Sequence, residues 1–278
     1  LSRGHIAAGA AILIMLAGCG GPTPSTAAPA TSGPAALPDP KAALLASVAA
    51  LDELNYEFSH HSGADGDISG VVHGPSGTLE LQHRVKNSET DIYDVRYRRI
   101  GADEWIRMDL SRTADMPADL PDSLSGKKWL PPRGLSTNGF AGPLPFTAPG
   151  KGLTGVESLV TGVVTVERKG TATFSGTLDL TGVEPGTLTL IPDADFRAAL
   201  GDRARSLPFR ATTDHRGRIR QFSFEVPQAG EFGPDQMSFT FAQYGAARPP
   251  SAPAPGELGS AAELTAAQDA LRAIQRQD

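Results

Sequence analysis

The chain has 278 residues, 40% of them apolar, with 31 acidic against 25 basic side chains and a single cysteine. That balance argues against a nucleic-acid partner, and one cysteine leaves no disulfide to staple the fold. The length suits one domain with a good-sized core, plus tails.

Arg3 and His5 lead into an uninterrupted apolar run from Ile6 to Ala17, closed by Leu16-Ala17-Gly18-Cys19. The run is too short to span a ~30 Å hydrocarbon core at ~1.5 Å per residue, and reads as the apolar region of a signal peptide covering residues 1–18. Leu16 to Cys19 resembles a bacterial lipobox, which implies cleavage before Cys19 and a diacylglycerol group on its thiol. Cys19 is thus the expected lipid attachment, in an exported protein anchored on the outer face of the cell membrane. Residues 20–38 carry no charge and no aromatic side chain, so they cannot offset the entropy of ordering. They form a tether with a reach of about 25 Å.

At Asp39-Pro40 the pattern turns helical. An N-cap acid and a proline at the first position precede Leu44, Leu45, Val48 and Leu51, which predicts an amphipathic helix over residues 40–53. From Leu54 the period falls to two. Runs at Leu54–His60, Ile68–His73, Leu79–Val85, Tyr93–Tyr97 and Trp105–Leu110 predict five antiparallel strands with one apolar face and one wet face. The Pro- and Gly-rich stretch 111–153 is assigned one short strand, Lys127–Leu130, and a flap or lid over 131–152. A short helix near Leu153–Leu159 follows, then strands around Val164–Val166, Ala172–Leu180, Leu207–Ala211, Phe222–Val226 and Met237–Phe241, with a helical turn at Asp195–Leu200. After Tyr244-Gly245 a Pro-rich linker leads to a capping box, Ser260 to Glu263, and a helix bearing Leu264, Ala267, Leu271 and Ile274. Docking on the sheet, self-association and disorder all remain open for that helix.

The expected fold class is therefore α+β, a curved antiparallel sheet of about eleven strands with a long N-terminal helix and short helices over its concave face. The domain is placed at 39–245, with 246–278 as linker and terminal helix. One amphipathic helix cannot cover so wide an apolar face, so the sheet must close or leave a cavity. The apolar-phase residues Tyr56, Phe58, Leu79, Leu81, Tyr93, Val95, Phe174, Leu178, Phe222, Phe224, Phe239 and Phe241 are core or the lining of that cavity. Arg96, Arg98 and Arg99, beside Tyr93 and Tyr97, are a solvated edge or a seat for an anionic head group at its mouth.

Several stretches, Leu51 to Phe58, Lys127 to Leu130, Ala172 to Leu180 and Leu207 to Phe224, resemble in their order the actinobacterial LppX/LprAFG lipoprotein family. The resemblance implies a LolA/LprG-like half-barrel whose cavity takes an acylated lipid or glycolipid, and it supplies no catalytic residue. No phosphate-binding loop, nucleophile elbow or HExxH motif occurs, and neither an enzyme nor a cofactor is expected. His60, His61, His73 and His83 lie on neighbouring strands, more suited to a cavity rim or the surface than to a metal site. The partners expected are the membrane, through the anchor, and an acylated lipid or glycolipid. The alternative is a filled core that serves as an interaction or sensor module for an envelope protein.

Overall fold

A computed structural model describes residues 38–62, 66–86, 92–112, 116, 120–132, 135, 154–183, 194–229 and 234–274. These lie in the unit Pro38–Asp278, one of two compact units of the chain. The fold is α+β, built on one open antiparallel sheet of ten strands. They are β1 (Asn55–Ser62), β2 (Gly66–His73), β3 (Thr78–Lys86), β4 (Ile92–Ile100), β5 (Asp103–Arg112), β6 (Val163–Lys169), β7 (Thr173–Leu178), β8 (Leu207–Thr213), β9 (Ile219–Val226) and β10 (Asp235–Ala242). Their spatial order is β5-β4-β3-β2-β1-β10-β9-β8-β7-β6, two meanders joined where the first strand pairs with the last.

Among the described residues four α-helices accompany the sheet: α1 (Pro40–Ala49), α2 (Val156–Thr161), α3 (Ala194–Leu200) and α4 (Ala261–Ile274). Asp39 caps α1, its carboxylate accepting from the Ala42 N–H at 3.0 Å. The expected long helix stops at Ala49, where Asp52 and Glu53 would place negative charge against the negative end of the helix dipole. Leu51 still reaches the core from the turn that follows, whereas Leu45 is 37% exposed and Ser47 takes a buried place on the stripe, donating to the Leu44 carbonyl at 2.7 Å.

The expected eleventh strand at Lys127–Leu130 is absent as a strand. Leu130 exchanges two 2.8 Å hydrogen bonds with Ile106, and Trp129 pairs singly with Leu258. Pro131 and Pro132 follow and have no N–H to extend the ladder. These contacts nonetheless shield the β5 edge. At the other edge, β6 carries Glu167, Arg168 and Lys169, charges that discourage pairing with another chain. The segment expected as a flap, 131–152, lies outside the described residues except at 131, 132 and 135, as does the tether, 20–38, except at Pro38.

Cross-strand register fixes the faces. Tyr56 opposes Val72, Val72 opposes Leu79, Leu81 opposes Tyr97 and Tyr97 opposes Ile106, while Phe239 opposes Phe222 and Phe222 opposes Ala211. One face, the inner face, is therefore apolar from β5 to β7. Leu44, Val48 and Leu51 with Val156, Leu159 and Val160 of α2 join the larger core over it. A second core at the β4–β5 end holds Val95, Ile106, Met108 and Leu110 under Ala267 and Leu271 of α4.

The chain after Gly245 is thus part of the packed unit. The Asn55 side chain donates to the Ala247 carbonyl, Arg98 to Ser251 O at 2.7 Å, Lys128 to Gly256 O at 3.0 Å, and the Trp129 N–H to Glu257 O at 2.8 Å. Residues 245–258 form a strap that delivers α4 to the inner face. Its capping box forms as expected, with Ser260 N–H donating to Glu263 Oε2 at 2.6 Å and Glu263 N–H to Ser260 Oγ at 3.2 Å.

Candidate functional site

All twelve apolar-phase candidates fall on the inner face. Tyr56, Phe58, Leu79, Leu81, Phe174, Leu178, Phe222, Phe224, Phe239 and Phe241 belong to the larger core and are 0–4% exposed. Val95 sits in the second core, and Tyr93, partly buried, packs against it. Tyr56 meets Phe241 edge-on at 5.8 Å, and Phe209 stacks on Phe222 at 5.4 Å, contacts that add specificity to the area they bury. Cys19 lies outside the described residues.

Polar groups stand among these apolar side chains, and two of them, His60 and Glu157, have buried atoms without a hydrogen-bond partner. His60 lies neither at a rim nor on the surface: it is 1% exposed, stacked on Phe239 at 4.5 Å, and neither ring nitrogen has a hydrogen-bond partner. Burial pushes its pKa down to about 4, against a weaker lift from the Ser238 backbone, so the ring is neutral at pH 7. The strand alternation places His60 inward, but its enclosure depends on strands distant in sequence. His83 shares this face two strands away, edge-on to Tyr93 at 6.1 Å. His61 points the other way, to Asp67 at 2.5 Å, and His73 meets Ser76 at 2.6 Å.

The second group is Glu157, in the first turn of α2, where a carboxylate suits the helix dipole. Its Oε2 accepts from Thr154 Oγ1 at 3.4 Å while Oε1 has no partner. Burial lifts its pKa to about 7, with the nearby Asp52 charge adding to the lift. Burial, and then Glu157, push the Tyr56 hydroxyl well above its usual value. Sequence reasoning missed Glu157, since an acid at a helix start is ordinarily solvated.

The three arginines of β4 do not act together. Arg99 is on the inner face, 5% exposed, with its Nε 3.4 Å from the Gly77 carbonyl. Arg96 and Arg98 lie on the outer face, opposite to Tyr93 and Tyr97. Arg98 pairs with Glu80 at 2.6 Å and covers the buried Trp129 ring at 4.4 Å, with Arg107 at 4.8 Å from the same ring.

Surface concavities include one of about 680 Å³ at the ends of β8 to β10, walled by Leu207, Pro208, Val226, Pro227 and Pro234. A smaller one of about 430 Å³ lies on the outer face around Ser59, Ser69, Gln82 and Thr240.

The arrangement is that of a two-faced open antiparallel sheet, polar outside and largely apolar within, its inner side covered by short helices. No protein-family model and no curated protein matches the chain.

Proposed function

We propose that this is a membrane-tethered envelope lipoprotein whose inner face receives the acyl chain of a lipid or glycolipid, to carry or present it. The observation that carries the reading is the inner face itself, apolar across nine strands and roofed by separate short helices rather than by a second sheet. Such a roof can lift without breaking a strand ladder. The lipobox ending at Cys19 supplies the location, and the LppX/LprAFG resemblance supplies the half-barrel curvature and the ligand class. Each methylene moved from water to that face gains roughly 0.8 kcal/mol, so a long alkyl chain offsets the cost of parting the side chains. His60, buried without a hydrogen-bond partner, offers a polar handle that an ester or hydroxyl of the ligand satisfies.

The test is titration of the Pro38–Asp278 unit, which contains every described strand and core residue, with a fluorescent fatty acid displaced by phospholipid. Saturable one-to-one binding is expected; linear, non-displaceable uptake sinks the reading. A second reading is favoured by the 0–4% exposure of the ten inner-face residues in the larger core: a filled core whose role is to bind an envelope protein. Under that reading the probe finds no site, and partner capture survives delipidation.

A further inference from the structure

The outer face carries a pocket on the side of the sheet opposite to the proposed lipid site. It encloses about 220 Å³ and is lined by Arg84, Arg96, Arg107 and Arg112 with Asp94 and Asp109, a formal excess of two positive charges in a chain of net −6. The register explains how they meet: Gln82 opposes Arg96 and Arg96 opposes Arg107, while in the next row Arg84 opposes Asp94 and Asp94 opposes Asp109. Gly126 closes the wall, its N–H donating to the Met108 carbonyl at 2.8 Å; a Cβ there would stand 3.1 Å from the Asp109 Cβ.

The carboxylates are already committed. Asp94 accepts from Arg84 at 3.0 Å, from Arg96 at 3.4 Å and from the Gln82 amide. Asp109 accepts from both the N–H and the hydroxyl of Ser111, at 3.1 and 2.5 Å. Arg107 faces the Trp129 ring and makes no ion pair with a described carboxylate. Like charges directly opposed on neighbouring strands destabilise a sheet, and Arg96 against Arg107 is such a pair on a half-buried surface. Its own burial and then the Arg96 charge press the Arg107 guanidinium below its usual pKa. An oxyanion between the two guanidinium groups removes that repulsion and matches their forked donors.

We propose that this outer-face pocket binds a phosphate-bearing group between Arg96 and Arg107. It is separate from the inner-face lipid site and stands if that reading fails. The source is either a free phosphate compound or the head group of an anionic lipid, and one experiment separates them. The full chain, in nonionic detergent, is titrated with inorganic phosphate, then with micelles doped with phosphatidylglycerol or with phosphate-free diacylglycerol. Saturable binding of phosphate is expected, and binding of phosphatidylglycerol that exceeds that of diacylglycerol by a share that Arg96→Gln removes, diacylglycerol binding being left to the inner face. An Arg96-dependent share of phospholipid binding tighter than phosphate binding assigns the pocket to a head group; a share no tighter than phosphate assigns it to soluble phosphates.

Arg96→Gln, which leaves the Arg107–Trp129 stack in place, should weaken binding about tenfold, and Arg96→Lys less. Arg205→Gln removes the same charge from an exposed site and should change nothing. Failure of both phosphate probes to bind, equal weakening by Arg205→Gln, or indifference to Arg96→Gln overturns the proposal. A fatty acid titration of Arg96→Gln that matches the unsubstituted chain keeps this outcome distinct from failure of the inner-face site.

Discussion

His60 and Glu157 make opposite demands on pH, and together they hide each other. The Glu157 carboxyl rises from 4.5 to about 7 on folding. Between those values the folded chain keeps a proton that the unfolded chain has released, so stability falls as pH rises through the window, by about 3 kcal/mol in all at ~1.4 kcal/mol per pH unit. His60 drops from 6.5 to about 4. In that interval the unfolded chain holds the extra proton, so stability is complete above 6.5 and falls as pH drops toward 4, again by about 3 kcal/mol. From 4.5 to 6.5 the two slopes cancel. Urea unfolding across this range should therefore show little contribution from either group in the unsubstituted chain. Glu157→Gln removes the falling limb and leaves stability climbing with pH through the histidine window. His60→Phe, which keeps an aromatic ring against Phe239, removes the rising limb and leaves stability declining toward pH 7. The double variant should be flat again. Two single variants with the same pH profile as the parent would refute the burial argument for both groups.

Other substitutions probe the frame. Gly70→Ala and Gly176→Ala place a Cβ 2.3 Å from the Glu80 carbonyl oxygen and 2.0 Å from that of Thr165; each should cost at least about 1–3 kcal/mol in a urea melt. Trp129→Ala removes the buried ring that Arg98 and Arg107 cover and should cost about 3–5 kcal/mol, with loss of near-ultraviolet ellipticity. Leu271→Asp, a charge under the second core, should destabilise by about 3 kcal/mol or more and raise binding of a dye for apolar surface. Cys19→Ala should abolish acylation and release the protein from membranes, as fractionation and a radiolabelled fatty acid would reveal; retention with a cleaved signal peptide contradicts the anchor.

Period-two alternation located all ten strands and put the twelve apolar candidates on one face, because a strand in register has only two choices for each side chain. What local pattern could not supply was pairing between distant segments. The strap 245–258 reads as a linker by composition, yet its carbonyls meet Asn55, Arg98, Lys128 and Trp129 from elsewhere in the chain. Gly259 sits where a Cβ would come within 2.4 Å of Leu130, a closeness set by the same distant pairing. The split of Arg96 and Arg98 from Arg99 follows from the same alternation, which outranks closeness in sequence. Strand phase points His60 inward, but its full enclosure, like that of the Glu157 Oε1 atom, is tertiary in origin.

The central claim is that the inner face opens to an acyl chain, and native mass spectrometry of residues 20–278, exported behind a cleavable signal that needs no cysteine and purified without added lipid, tests it most directly. The account predicts a bound species that adds the mass of an acylated lipid and is removed by organic extraction. A single mass equal to that of the processed polypeptide, unchanged after incubation with envelope lipid extract, would contradict it.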